Sequence, residues 1–428
     1  MDHTVTLGVA PWRDHEYPIR LSGADRLRHM YMVGKTGTGK STLYQNMMLQ
    51  DMQAGPGCCF VDPHGEAIDW LLARVPENRL EDVILFDPSD TEWPMGLNLL
   101  EYKSEEEKDF LVSEAIQIFY KLFDPDSQGV IGPQFEHWMR NAALTIMADP
   151  RGGSLVDIPR LFTDPEFERQ KRKHIADPTV RAFWEQQMEK TSAFHRSEML
   201  NYFTSKFGRF TTNSLMRNII GQKKSSFSFF NALRDQKIIL INLSKGKIGD
   251  INAAMLGLIL MAKLQAAVMK RSALPAEERH PFYLYVDEFQ NVMTDAFIGM
   301  LSEARKYGLA VHLTNQYVEQ LTPEIREAVL GNAATLAAFQ IGAADAVHLL
   351  AEFEARNPRA RSTLKSDDLQ FTQPYHFYIR LILDGVPQHP VLGRSLPPLP
   401  ASSAAAAEDV RSLSRLRFAQ LGGRAVVY

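Results

Sequence analysis

Short apolar runs alternate with helix-period stretches along most of the chain. His29–Val33 has the pattern of a buried strand, and Leu43, Met47, Met48 and Met52 then recur at helical spacing through Ser41–Gln50 and just beyond. Cys58–Val61 and Val83–Phe86 are further strand-like runs, ending at Asp62-Pro63-His64-Gly65 and Asp87-Pro88-Ser89-Asp90. Lys237–Asn242 leads into a helical stretch near Ile251–Met269, and Pro281–Val286 into one near Asp295–Tyr307. Ala310–Thr314, Ala334–Ile341 and Tyr375–Leu383 complete the strand-like set. This alternation predicts an α/β fold on a parallel sheet, with ligands at the carboxyl ends of the strands. Asp62 and Asp87 fall at such ends. Asp-Pro is also an ordinary turn opener, and His64 reads equally as a site residue or a turn residue.

The alternation breaks between residues 104 and 231. Glu105–Leu122, Gln134–Met147, Thr179–Lys190 and Arg196–Ile220 carry helical spacing with few strand signals, which predicts an all-α domain inserted in the α/β domain. The expected boundaries are therefore 1–103 and 232–396 for the two parts of the α/β domain and 104–231 for the insertion. From 397 onward, Pro-Pro-Leu-Pro-Ala-Ser-Ser and an alanine run read as a linker. Glu408–Tyr428 then reads as a short amphipathic helix, with Val410, Leu413, Leu416 and Phe418 opposed by Arg411, Arg415 and Arg417.

Composition narrows the classes. A chain of 428 residues, 45% apolar, can bury one large core or two. The formal net charge of −4 excludes a global basic field, so any nucleic-acid surface must be local. One imbalance stands out. Residues 104–168 hold 5 Lys/Arg against 13 Asp/Glu, whereas 169–224 hold 12 against 4. The basic half also carries Phe183, Trp184, Phe194, Tyr202, Phe203, Phe207 and Phe210, a mixture that suits nucleic acid or, residue by residue, a helical core under a solvated face. The adjacent Cys58 and Cys59 read as small buried strand residues of a reduced protein. The longest apolar run, Ala253–Ala262, is interrupted by Lys263 and Gln265 short of a membrane span, and no signal peptide is evident. These features predict a cytoplasmic chain with no intrinsic span.

Gly34-Lys35-Thr36-Gly37-Thr38-Gly39-Lys40-Ser41 fits the phosphate-loop pattern G-x-x-x-x-G-K-[ST] at every fixed position, between a strand-like run and a helical one. The glycines let successive N–H groups face phosphates, and the helix beginning at Lys40, Ser41 and Thr42 adds its positive end. Lys40 would neutralise phosphate charge, and the Ser41 hydroxyl would hold Mg²⁺. Far downstream, Pro281–Val286 ends in Asp287-Glu288, the form of a Walker B strand. Asp287 would hold Mg²⁺ through water and Glu288 would polarise the attacking water, so the pair favours hydrolysis of ATP over binding alone.

His29–Leu43, Phe60–Gly65, Leu240–Gly249, Val286–Asn291, Ser302–Gly308 and Leu313–Tyr317, taken together, resemble the HerA/FtsK superfamily of hexameric DNA-pumping ATPases. Within it the chain is similar to the soluble part of type IV secretion coupling proteins, the TraG/TraD-like group, over most of residues 1–400. The resemblance implies a RecA-like P-loop NTPase sheet with an inserted all-α domain, ATP and Mg²⁺ as ligands, and DNA as partner. It also implies a homohexameric ring. It assigns Gln316 as the polar sensor of the γ-phosphate and Arg305 as an arginine reaching the neighbouring subunit's ATP. On the residues alone, Arg305 could as well be a surface arginine. Membrane-anchored coupling proteins carry N-terminal transmembrane helices, and here the nucleotide strand begins almost at once. Recruitment to the inner membrane face would then fall to partners such as a secretion channel or relaxase. Two other readings stand beside a conjugative motor: a HerA-type translocase working with a nuclease, and a nucleotide-gated scaffold without sustained turnover.

Overall fold

The computed structural model describes residues 3–354, 364–400 and 404–419. The chain divides into two compact units. The first gathers Met1–Phe86, Phe229–Ser244 and Ala267–Ser414, and the second Asp87–Ser228, Lys245–Ala266 and Arg415–Tyr428. The helical unit thus opens at 87, ahead of the expected 104, and takes in 245–266, which sequence reading assigned to the α/β part.

The first unit is built on an eleven-stranded sheet among the described residues. Its strands are β1 (Val5–Trp12), β2 (His15–Leu21), β3 (Met30–Val33), β4 (Gly57–Asp62), β5 (Val83–Phe86), β6 (Ile238–Asn242), β7 (Phe282–Val286), β8 (Leu309–Asn315), β9 (Thr335–Ala338), β10 (His376–Arg380) and β13 (Val391–Ser395). A separate short hairpin pairs β11 (Ile382–Leu383) with β12 (Val386–Pro387). The order is β2-β1-β13-β10-β9-β3-β8-β7-β4-β6-β5. From β9 to β5 the pairing is parallel, and every residue of β3, β4, β5, β6, β7, β8 and β9 is buried. Burial on both faces is why these strands appear in the sequence as unbroken apolar runs.

The parallel α/β sheet expected from the sequence is present, and it is extended on one side. β10, β13, β1 and β2 add an antiparallel edge. β10 falls within the strand-like run Tyr375–Leu383, whereas β1, β2 and β13 gave no such signal: in β2, His15–Pro18 is exposed throughout, and only Ile19 and Leu21 are buried. The β1–β2 turn uses Arg13 at φ 56 and carries no Asn-Gly or Asp-Gly signature.

Register sets the position of the site. Val33 pairs with Asn315, Leu313 with Val286, and Val286 with Val61. The carboxyl ends of β3, β8, β7 and β4 are therefore level. β3 and β7 flank β8, so the phosphate-loop strand and the acidic strand are one strand apart. The helix Lys40–Ala54 buries Leu43, Met47, Met48 and Met52, as its spacing predicts. It also buries Asp51, which faces a fully buried Arg26 at 2.7 and 2.8 Å.

The second unit has helices Glu105–Phe123, Pro133–Ala148, Pro165–Arg172, Ala193–Thr211 and Ser214–Ile220 as its main elements. The single helix expected over Arg196–Ile220 is two. Asn213 ends the first and caps the second, its side chain accepting from the Met216 N–H at 3.2 Å. The helix expected over Thr179–Lys190 is an α segment, Pro178–Ala182, followed by a π-helical segment, Phe183–Met188. Phe183, Trp184, Phe203, Phe207 and Phe210 are buried and form a core with Phe119, Phe135 and Trp138. Trp184 donates its indole N–H to Thr145 Oγ1 at 2.8 Å. The core reading of these rings holds, and they give no aromatic stacking surface. The side chain of Phe194 lies outside the described residues. Several basic groups here are internally engaged. Lys171 is buried against Asp149 at 3.0 Å, Arg172 bridges Glu168 and Glu189, and Arg169 pairs with Glu166. Lys173, Lys190, Arg209, Lys223 and Lys224 are exposed.

The helix Asp250–Lys270 continues through Lys263, whose ammonium donates to the Glu101 carbonyl at 2.6 Å. With the turn that follows, Asp250–Ala273 is long and apolar enough to cross a membrane, and 78% of its apolar window is buried inside the structure. The C-terminal helix, Ala404–Phe418, begins within the alanine run expected to be linker, since alanine is the strongest helix former. Val410 is buried and Ser414 Oγ accepts from the Leu85 N–H at 2.9 Å, whereas Leu416 is 77% exposed. Residues 420–428 of the expected tail lie outside the described residues.

Candidate functional site

The loop after β3 is held in shape from several sides. Gly37 and Gly39 take φ values of 77° and 114°, where a side chain is strained, and Gly39 directly precedes the helix Lys40–Ala54. A Cβ on Gly34 would come within 2.6 Å of Phe339 Cβ, whereas around Gly37 there is open space. Lys35 N–H donates to the Gln340 carbonyl at 2.8 Å, Thr38 Oγ1 to the Lys35 carbonyl at 2.7 Å, and Tyr375 N–H to the Thr38 carbonyl at 2.8 Å. The Lys40 ammonium folds back onto the Gly34 carbonyl and, at 3.1 Å, onto that of Lys35. Burial lowers its pKa, and the negative charges of Asp287 and Glu288 oppose that shift.

Thr36, Gly37, Gly39, Lys40, Ser41, Thr42, His64, Asp287, Glu288, Gln316 and Tyr375 line one cleft, of about 180 Å³. It lies wholly within the first unit. The structure thus brings Lys40, Ser41, Asp287, Glu288 and Gln316 together from three separate sequence regions. Gly34, Lys35 and Thr38 shape the loop behind the lining.

Burial raises the pKa of the Asp287 carboxyl, a hydrogen bond from Thr314 lowers it, the neighbouring Glu288 raises it, and Lys40 and His64 lower it. Thr314 Oγ1 donates to Asp287 Oδ1 at 2.7 Å, because the β7–β8 register that pairs Val286 with Leu313 brings Asp287 level with Thr314. Glu288 takes the left-handed backbone, φ 47° and ψ 49°, costly for a side chain of this size and characteristic of functional sites. Gln290 Nε2 donates to Glu288 Oε2 at 2.8 Å and fixes the carboxylate.

Asp62 is a buried cap. Its carboxylate accepts from the N–H groups of His64 at 2.8 Å and Ala67 at 3.0 Å, at the start of the helix Glu66–Leu72. That bond orients the turn from which His64 reaches the cleft. Asp87 makes a local turn, accepting from Ser89 N–H and Oγ. Arg305 is exposed at the end of the helix Asp295–Ala304 and is not among the residues lining the cleft.

The donor set fits a nucleotide with Mg²⁺. Backbone N–H groups, a lysine and a helix start face one end, and a hydroxyl and a carboxylate supply the hard oxygen ligands that Mg²⁺ prefers. Sequence reasoning missed Thr314, Gln290 and Tyr375. Gln290 and Thr314 lie inside the Val286–Asn291 and Leu313–Tyr317 segments already singled out, whereas Tyr375 acquires its position only through the antiparallel edge.

No family model and no curated protein matches the chain. Solved structures share its fold. The bacterial conjugative coupling protein TrwB, as an unbound truncated form, aligns over 89% of this chain and 88% of its own, with a TM-score of 0.59 and 14% identity. The same plasmid coupling protein in complex with ADP and Mg²⁺ gives a TM-score of 0.60 at 15% identity, with the same coverage. VirB4 of Thermoanaerobacter pseudethanolicus gives 0.60 at 14% identity, over 92% of this chain and 96% of that one. The architecture they share with this chain is a largely parallel α/β sheet accompanied by helices.

Proposed function

We propose that this chain is an ATP-hydrolysing motor that moves DNA, acting in the cytoplasm as a homo-oligomeric ring in a conjugative or type IV secretion process. The observation that carries the reading is the single cleft where Lys40, Ser41, Asp287, Glu288 and Gln316 meet. Lys40 and the loop N–H groups bind the phosphates, and Ser41 and Asp287 would hold Mg²⁺, which would supply charge neutralisation to the phosphates. Glu288, restrained by Gln290, accepts a proton from the attacking water. Gln316 contacts the terminal phosphate, and Arg305 reaches the site of the adjacent subunit. A scaffold that only binds nucleotide has no need of a strained, hydrogen-bonded carboxylate beside the metal ligand, which favours turnover.

The choice of DNA rests on the fold shared with TrwB, whose name describes a conjugative coupling protein, and on the exposed lysines and arginine of the helical unit. Contacts from Lys173, Lys190, Arg209, Lys223 and Lys224 go to phosphates and carry no sequence preference. Displacement of streptavidin from end-biotinylated DNA tests the motor. ATP should drive displacement by the wild type and not by Lys40→Ala. Sustained ATP hydrolysis on DNA without displacement would contradict the motor and favour a DNA-gated ATPase.

A further inference from the structure

The geometry points to Tyr375 as the stacking platform for the base of the bound nucleotide, an inference that rests on the phosphate-loop reading of the cleft. Tyr375 has a backbone φ of 63°, a conformation that a bulky side chain rarely adopts. That backbone is fastened at both ends. Its N–H donates to the Thr38 carbonyl within the phosphate loop, and its carbonyl accepts from the Ser395 N–H of β13, each at 2.8 Å. The phosphate loop and the Tyr375 backbone are therefore tied to each other.

The ring itself sits beside Gly39. A Cβ there would lie 3.0 Å from Tyr375 Cδ1, so glycine at 39 makes room for the tyrosine as well as for the turn. Tyr375 lines the same cleft as Thr42, and half of the residue is exposed. Beyond its contact with Gly39, half of the residue is left open at the cleft.

Cleft size decides what the ring meets. Sites that enclose a drug-sized ligand run to roughly 300–1,000 Å³. At about 180 Å³ this one suits a phosphate chain and leaves the nucleoside at the rim, where Tyr375 stands. Recognition by a ring face differs from recognition by base edges. Every base has a π-face, so this contact supplies affinity with little choice between adenine and guanine.

Calorimetric binding of Mg·ATP, Mg·GTP and Mg·tripolyphosphate to the full chain separates the base from the phosphates. Tyr375→Phe should bind all three as the wild type does. Tyr375→Ala should lose affinity for both nucleotides by roughly 5- to 150-fold, the range that stacking one base on an aromatic ring supplies, and should keep its tripolyphosphate affinity. Unchanged nucleotide binding in Tyr375→Ala would overturn the assignment. So would a parallel loss of tripolyphosphate binding, which would make Tyr375 a brace for the loop. A wild type that binds none of the three ligands would instead overturn the phosphate-loop reading and this inference with it.

Discussion

Thr314 shows how a residue that faces no ligand itself shapes the site. Its hydroxyl donates to Asp287 Oδ1 at 2.7 Å, which would leave the other carboxylate oxygen for the proposed Mg²⁺. Partners of this kind commonly contribute 10- to 100-fold in metal affinity. Thr314→Val should therefore raise the Mg²⁺ concentration needed for half-maximal ATP hydrolysis by about that factor, and Thr314→Ser should restore it. His29 carries a different consequence. Its Nδ1 accepts from the Val311 N–H at 3.1 Å and its Nε2 faces the Leu301 carbonyl at 2.9 Å, so the ring is held neutral. Burial pulls its pKa down to about 4, against the hydrogen bond to Leu301 and reinforced by the charge of Arg305. The unfolded chain takes up this proton near pH 6.5 and the folded chain only near pH 4. The stabilisation is complete above pH 6.5 and declines as pH falls towards 4, by about 3 kcal/mol at this site. His29→Asn, which tolerates the φ of 66° at this position, should flatten the slope of denaturation free energy between pH 6.5 and 5. An unchanged slope would remove His29 from the account.

Strands were legible where both faces are buried and illegible where one is wet. β3, β4, β7 and β8 stand out in the sequence because an apolar run needs no partner to be recognised, and the phosphate loop and Asp287-Glu288 mark two of their ends. β1 and β2 were invisible because their apolar pattern is broken, in β1 by Thr6, Gly8 and the exposed Pro11 and Trp12, and in β2 by the exposed His15, Glu16 and Arg20. Tyr375 was hidden for a related reason: its value depends on the backbone bond to Thr38, across most of the chain. A buried network behind the site was equally unreadable. Arg26, from the turn before β3, forks onto Asp51 of the helix Lys40–Ala54 and also donates to Tyr285 of β7 at 2.6 Å. It ties the phosphate-loop helix to the acidic strand. Arg26→Ala should destabilise the fold by about 3–5 kcal/mol in urea denaturation, because it strands a buried carboxylate. The double variant Arg26→Met, Asp51→Leu should cost less than Arg26→Ala alone. A double variant at least as unstable as the single one would show that the pair is not the source of the loss.

On the scale of the whole molecule, the α/β frame and the helical insertion were readable from periodicity. Their contact boundaries were not, because the change of unit falls inside the helix Asp250–Lys270, where no turn or breaker marks it in the sequence. Arg305 lies outside the cleft of its own chain, so its proposed role requires a second subunit. Mixed rings test it. Arg305→Ala subunits keep Lys40, Lys40→Ala subunits keep Arg305, and mixing the two inactive proteins should recover part of the ATPase activity wherever an intact Lys40 site meets an intact Arg305. Proven mixed rings that stay inactive would remove Arg305 from the neighbour's site. Activity should also fall on dilution, as a site split between chains obeys mass action.

The most direct test of the central claim is steady-state ATP turnover with and without DNA, with wild type and Glu288→Gln compared at matched nucleotide occupancy. The account predicts turnover by the wild type that rises with DNA and loses that stimulation as salt is raised. It predicts a fall of about 100-fold or more in Glu288→Gln with ATP binding retained. Wild-type turnover indifferent to DNA, or Glu288→Gln turning over at the wild-type rate, would contradict it.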